Sequence, residues 1–580
     1  MIRRTEFPRP DFRRTDWQCL NGPWEFSFDW EGKRSMEDGL TGKYDQTIQV
    51  PFCYQSRLSG IEVKEDCPVV WYRKTVLLER KNNKRILLKF GAVDYKAWIW
   101  VNGKFAGSHE GGYSPFAMDI TDIAVNGNNT IVVRAKDYPD ACQPRGKQTW
   151  TGEGFACWYT PVSGIWQSVW IEYAADIYLH RVKITPDLEK LTALVEVFIS
   201  SQEETLCEIH TKLPACTAPY KIGTQQLWCR NGYGRTVLSF MELDVKRNDL
   251  LWAPEHPNLI NVEIIVKGEC GEDKVTAYFG MRSIEASGSH ILLNGEIFFQ
   301  RLILDQGYWE ESLLTPPSEE AIVKDLELIK TMGFNGIRMH QKIEDPLFYY
   351  HADRMGLLVW GELPSAYMYN DQMVQSSINE MGNFLDRDFN HPSIITWVPV
   401  NESWGVRNVR TNKMQQSYVL AMYHFIKAMD ETRLISANDG WEQPGCTDIC
   451  AVHDYIYTNR TPGKYNNGWE DILSGGPEKR LAFAKGESYG GQPVILSEYG
   501  GIAFDNGEDG WGYLEKATSE SEFLERLQGV TEDLIKCGRF AGFCYTQLTD
   551  VQQEVNGLLT PERSPKADID KIKEIFGFYA

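Results

Sequence analysis

Two glutamates each close an apolar run that reads as a buried strand. Glu402 lies in Phe-Asn-His-Pro-Ser-Ile-Ile-Thr-Trp-Val-Pro-Val-Asn-Glu-Ser-Trp-Gly (389–405), where Ile394 to Val400 is almost unbroken and rich in β-branched residues. Glu498 lies in Pro-Val-Ile-Leu-Ser-Glu-Tyr-Gly-Gly (493–501). Such runs suit strands covered on both faces, as in a parallel sheet clad by helices. A carboxylate at the C-terminal end of such a strand sits on the face where α/β barrels carry their reactive groups. Two of them at one mouth can act as proton donor and nucleophile, the minimum equipment for breaking a glycosidic bond.

The two acids need unequal environments. Trp397 and Trp404 flank Glu402, and their indoles are expected to desolvate it and raise its pKa, which suits an acid/base. Glu498 is expected to stay ionised as the nucleophile if a hydroxyl such as that of Tyr455 donates to it. A carboxyl separation near ~5 Å, the retaining geometry, is the corresponding expectation.

The elements that must hold these acids begin at about residue 286. Ser318–Met332 opens with a capping serine and acids and keeps a helical apolar face. Eight strands are predicted, at Ile297–Leu304, Gly336–His340, Leu357–Leu363, Ile394–Val400, Leu434–Ala437, Ile449–Tyr455, Val494–Leu496 and Phe543–Leu548. Eight strands separated mostly by helices make a (β/α)8 TIM barrel over 286–580, with Glu402 after the fourth strand and Glu498 after the seventh. Residues 1–175 carry short alternating runs and the Asn102-Gly103 hairpin signal, which predict a jelly-roll-like β-sandwich. Residues 176–285 repeat the β signature and predict an immunoglobulin-like sandwich. The stretch Asp137 to Ser163 is long, aromatic and irregular. Loops of this kind are often functional, and the alternatives are a self-packed surface loop or one that reaches the barrel mouth.

Composition narrows the function classes. With 580 residues the chain exceeds one core. Its net charge of −20 argues against a phosphate-backbone partner. No run approaches the ~20 apolar residues of a membrane span. The 13 cysteines include no Cys-x-x-Cys pair, and the first residues hold no apolar leader, so free thiols and a cytoplasmic location are expected. Nineteen tryptophans supply aromatic platforms of the type that sugar faces pack on. A glycoside is the expected partner, no cofactor is expected, and homo-oligomerisation stays open.

Several motifs resemble glycoside hydrolase family 2, the group of β-galactosidases, β-glucuronidases and β-mannosidases. They are Asn21-Gly22-Pro23-Trp24, Val101-Asn102-Gly103, Gly164-Ile165-Trp166-Gln167, Leu251-Trp252-Ala253-Pro254, Asn390-His391-Pro392-Ser393 with Asn401-Glu402-Ser403, and Ser497-Glu498-Tyr499-Gly500. The resemblance implies Glu402 as acid/base, Glu498 as nucleophile and Asn401 as partner of the sugar 2-hydroxyl. It implies that Arg338 forms a buried ion pair near the nucleophile. Departures are also visible. His340-Gln341 replaces a serine-histidine pair, and Asp305-Gln306-Gly307 replaces an Arg-His-Glu run that follows the arginine retained as Arg301. Glu362 holds the place of a magnesium ligand in some β-galactosidases, but Pro364 stands where a second ligand would be, so no catalytic metal is expected. Trp404, His340, Asp305, Asp454, Tyr455, Tyr545 and Glu362 are the further candidates for substrate contact, with His453 a sugar contact or mouth scaffold.

The resemblance also bears on the sugar. β-Glucuronidases of the family hold the uronate with an Asn-x-Lys element; the matching region here, Glu554-Val555-Asn556-Gly557, lacks the lysine and carries an acid. A neutral terminal sugar, β-galactoside first, is therefore expected from an exo-acting retaining enzyme. β-Glucuronidase, β-mannosidase and arabinosidase specificities are the alternatives. A carbohydrate-binding protein without catalysis is the rival class, but it has no use for acids at both strand ends.

Overall fold

The computed structural model describes residues 3–455, 464–474, 480–504, 510–513 and 515–577. Near the N-terminus two antiparallel sheets face each other. One has six strands in the order 46–50, 22–28, 69–78, 127–136, 96–101 and 104–110, and the other four in the order 116–119, 84–90, 169–175 and 17–19. Their inner faces supply one core, including Trp24, Phe26, Tyr72, Leu88, Phe90, Ile99, Val133 and Ile171. The motif Gly164-Ile165-Trp166-Gln167 leaves the strand Gly164–Ile165 at Trp166, whose indole N–H donates to the Gly112 carbonyl at 2.7 Å. Trp166 thereby joins the apolar cluster of the barrel.

A second sandwich follows. Its sheets are 179–187, 192–199 and 233–239 on one side, and 271–279, 260–268, 205–212 and 225–229 on the other. The short strand Phe12–Arg13 pairs with the edge at Ala277 and Thr276, so the start of the chain is tied to this middle unit.

The barrel strands are β1 (Gln300–Asp305), β2 (Gly336–Met339), β3 (Leu358–Glu362), β4 (Ile394–Val398), β5 (Leu434–Ile435), β6 (Cys450–Asp454), β7 (Val494–Gly500) and β8 (Gly542–Thr546). Neighbours pair in parallel in the order 5-4-3-2-1-8-7-6. Between β5 and β6 the seam is closed by loop contacts, with the Asp448 N–H donating to the Ile435 carbonyl at 3.0 Å. Apart from half-buried Arg301 in β1, all eight are buried on both faces, the reason the sequence shows apolar runs there instead of alternation. Leu302, Leu304, Leu358, Trp360, Ile395, Val398, Ile495 and Cys544 fill the interior, and the hairpin around Ile284, Ile291 and Leu293 packs against the same cluster. Helices 319–331, 346–355, 371–388, 413–429 and 520–537 clad the outside. Side chains of Ser318, Asp345, Asn370, Asn412 and Ser519 cap their N-termini, each satisfying amides the helix leaves free.

Candidate active site

β4 delivers Glu402 through a tight turn. Glu402 and Ser403 have φ of 51° and 58°, left-handed in succession, at a cost of about 1–2 kcal/mol each. Local hydrogen bonds offset this cost. The Glu402 N–H donates to the Asp439 carbonyl at 2.9 Å, the Ser403 N–H to Asn438 Oδ1 at 3.0 Å, and the Ser403 hydroxyl to Glu442 at 2.8 Å. The turn after β4 is thus fastened to the turn after β5. Glu498 instead projects from within β7, which runs further than expected, to Gly500.

His453, at the end of β6, joins the two acids. Its Nδ1 lies 2.8 Å from Glu402 Oε1 and 3.5 Å from Glu498 Oε2, and its Nε2 lies 2.8 Å from Asp439 Oδ1. One oxygen from each glutamate and a ring nitrogen of His453 all fall within 4.8 Å of one another. Burial alone would lower the imidazole pKa; the charge of Glu498 and the hydrogen bonds to Asp439 and Glu402 overcome this and lift it to about 10. An imidazolium therefore occupies the space among these acids. Gly440 (φ 104°) permits the approach, since a Cβ there would meet His453 Nδ1 at 2.8 Å.

Arg338 is the second cation. Its Nη1 reaches Glu498 Oε1 and Asp439 Oδ1, each at 2.9 Å, its Nε reaches Glu362 at 2.9 Å, and its Nη2 donates to Asn401 Oδ1 at 2.8 Å. Tyr455 donates to Glu498 Oε2 at 2.6 Å, as expected from the sequence. Burial works to raise the Glu498 pKa, but His453, Arg338 and the Tyr455 hydroxyl hold this carboxyl below its ordinary range. Asn401 Nδ2 has no hydrogen-bond partner among the described residues, although its other amide atom is fixed by Arg338.

The comparisons with known proteins agree with this architecture. Residues 17–171, 177–282 and 317–579 match the sugar binding, central and TIM barrel models of the glycosyl hydrolases family 2. The chain belongs to glycoside hydrolase family 2. It is 26% identical to a β-glucuronidase of Paenibacillus borealis over 98% of both chains. It is 24% identical to a Leuconostoc mesenteroides β-galactosidase, covering 97% of this chain and only 56% of that protein. Among solved structures, a β-galacturonidase from Eisenbergiella tayi bound to galacturonate superposes with a TM-score of 0.76 at 20% identity over the whole of both chains. A Faecalibacterium prausnitzii β-glucuronidase gives 0.78 at 20% identity over 99% of each.

In this family 2 glycosidase the other candidates divide by strand parity. Glu362 is fully buried and engaged by Arg338, by Gln341 at 2.5 Å and by His340 at 3.2 Å, so it braces the site from within. His340 leans on the Trp404 ring at 6.0 Å, which keeps both at the mouth. Tyr545, expected there, lies on the helix-facing side against Tyr499 and Phe576, while its neighbour Thr546 points inward and its hydroxyl donates to the Tyr455 oxygen at 3.0 Å. Asp454 likewise turns outward and accepts from Tyr465 at 3.1 Å. Asp305 accepts the Gly307 N–H at 2.8 Å and serves the turn after β1. Arg301 sits at the start of β1 and donates to the Gly333 carbonyl, at the barrel floor. Trp397 packs on Phe384 and donates to Asp430, so it does not desolvate Glu402.

The long loop of the first sandwich does reach the barrel. Trp150 stacks on Tyr367 at 4.0 Å, and Trp158 packs on Trp404 at 5.7 Å. Tyr159 donates to Glu554 Oε2 at 2.5 Å, and Asn556 donates to Glu554 Oε1 at 3.1 Å. Both oxygens of Glu554 are thus engaged by neutral donors, which tie the first sandwich to the segment after β8. The sequence reasoning missed Asp439 and understated His453. Asn438-Asp439-Gly440 follows the fifth strand, so the strand-end rule that found Glu402 also points to it.

Proposed function

We propose that the chain removes a terminal β-linked sugar by double displacement, with Glu498 as nucleophile and Glu402 as acid/base. The observation carrying this reading is the pair of strand-end carboxylates within 4.8 Å around one imidazolium, a spacing compatible with the retaining class. Glu498 attacks the anomeric carbon while Glu402 gives its proton to the departing glycosidic oxygen. Glu402 then takes a proton from water, which attacks the same carbon and releases Glu498. Asn401, held by Arg338 and with its Nδ2 unpartnered among the described residues, would donate to the sugar 2-hydroxyl.

The first expectation for the sugar, a β-galactoside, has weaker support than a β-uronide. The relative matched along its full length is named a β-glucuronidase, whereas the chain spans about half of the galactosidase it matches. The test is Glu498→Gln. Turnover of aryl β-glycosides should fall on the order of 10⁴-fold or more while the protein stays folded; ordinary activity in that variant would remove the nucleophile assignment. Glu402→Ala should slow poor leaving groups most, with partial rescue by azide.

A further inference from the structure

One buried ammonium stands at the mouth without a carboxylate of its own. Lys147 belongs to the loop of the first sandwich and is 5% exposed. Its Nζ lies 5.2 Å from the centroid of the Trp404 ring and 5.7 Å from that of Tyr159. Among the described residues no carboxylate lies within the 4.0 Å of an ion pair. The thiol beside it, Cys157, is neutral, because burial pushes its pKa up to about 11. Burial also opposes the charge on Lys147, but the fields of Glu554, Glu498 and Glu402 keep it an ammonium. Trp404 follows Glu402 by two residues, so the contact with its ring sets the ammonium beside the turn after β4.

The position of Lys147 is built. The Arg145 and Gly146 N–H groups both donate to the Ser365 carbonyl at 3.0 Å, and the Tyr159 N–H donates to the Lys147 carbonyl at 2.8 Å. The Tyr367 hydroxyl donates to the Gly146 carbonyl. At Gly146 (φ 59°) a Cβ would lie 2.0 Å from the Gln341 carbonyl oxygen, so the loop backbone is pressed onto the turn after β2. A desolvated cation is unfavourable unless an anion meets it, and ring faces compensate only part of the loss. Arg338, by contrast, already has its carboxylates. An anion that enters with the substrate would complete Lys147.

We propose that the mouth takes a terminal hexuronic acid and that Lys147 is the specificity-determining residue pairing with its carboxylate. This rests on the glycosidase reading above and adds the substrate class and the residue that selects it. The cation comes from the first sandwich and stands in for the lysine missing beside Glu554.

The test uses the full chain with 4-nitrophenyl β-D-glucuronide, β-D-galacturonide, the methyl ester of the glucuronide, β-D-glucoside and β-D-galactoside. Wild type should prefer an acid over its ester and its neutral congener. In Lys147→Met the acid-to-neutral ratio of kcat/KM should drop on the order of 10²-fold, with Lys147→Arg recovering part of it. Equal losses on acids and neutral sugars in Lys147→Met would reduce the lysine to a structural part and overturn the proposal. So would a wild-type preference for a neutral glycoside. A second arm needs no turnover: calorimetry of Glu498→Gln with free glucuronate, galacturonate, glucose and galactose. Tighter acid binding that is lost on adding Lys147→Met supports the proposal even if no glycoside is cleaved, an outcome that would defeat only the hydrolase reading. No preference for the acids overturns it.

Discussion

Two groups of buried carboxylates in this chain are treated in opposite ways. At the barrel mouth, Glu362 and Glu498 are held ionised below the ordinary range, against burial, by Arg338 and, for Glu498, by His453. Where the first sandwich meets helix 371–388, Asp94 and Glu380 are as deeply buried, yet burial wins. Asp94 is raised well above its usual range, and Glu380 rises to about 7 although the Ser114 hydroxyl donates to it. The nearby cation, Arg145, is committed to Asp137 at 3.1 Å. Burial thus sets the penalty in both places, and the supply of matched cations decides which acids stay charged. The mouth needs charge for chemistry. The interface needs only hydrogen bonds, as between Ser114 and Glu380 at 2.9 Å and between Gln148 and Asp94 at 3.0 Å.

The largest effect is expected at Arg338. Arg338→Met strips Glu362, Asp439 and Glu498 of their shared partner and should cost about 3–5 kcal/mol of stability. It should also move the acid limb of activity to higher pH, since Glu498 would lose a charge that keeps it ionised. Urea titrations and a pH–rate profile check both, and an unmoved acid limb would separate Arg338 from the ionisation of Glu498.

His453 offers a sign test. Its folded pKa is raised, so its contribution is fully present below the unfolded value of 6.5 and is lost as pH rises through about 10. Stability of the wild type should therefore fall between pH 7 and pH 10, by about 2–4 kcal/mol from this group. The slope should be flatter in His453→Gln. Equal slopes would mean that the imidazole is neutral in the folded protein.

Glu380 gives the smallest effect. Its folded pKa is also raised, so ionisation destabilises the fold between pH 4.5 and about 7. Glu380→Gln should match the wild type below pH 4.5 and exceed it by about 1–3 kcal/mol above pH 7. A variant weaker than wild type at pH 8 would show that the carboxylate is compensated there after all.

Much of this was legible in the chain. Ile394–Val400 and Val494–Leu496 announce buried strands through local composition, and the acids that end them fall where the barrel geometry directs. Tyr455 was expected to donate to Glu498, and Asn401 and Arg338 followed from the family resemblance; Arg338 and Tyr455 meet Glu498, and Asn401 meets Arg338. The parity of β8 was not legible. Because both faces of that strand are buried, no alternation distinguishes Tyr545 from Thr546, and a shift of one residue exchanges inside for outside. The same ambiguity turned Asp454 outward and His453 inward.

The sequence by itself determined the barrel, its two sandwiches and the acid pair, since these follow from local patterns and strand order. Only the tertiary structure decided the electrostatics. His453 becomes a cation because Glu402, Asp439 and Glu498 arrive from three other strand ends, and Lys147 reaches the mouth from a loop hundreds of residues upstream. Charge interactions depend on distance in space and on the exclusion of water, and neither is written in the neighbours of a residue along the chain.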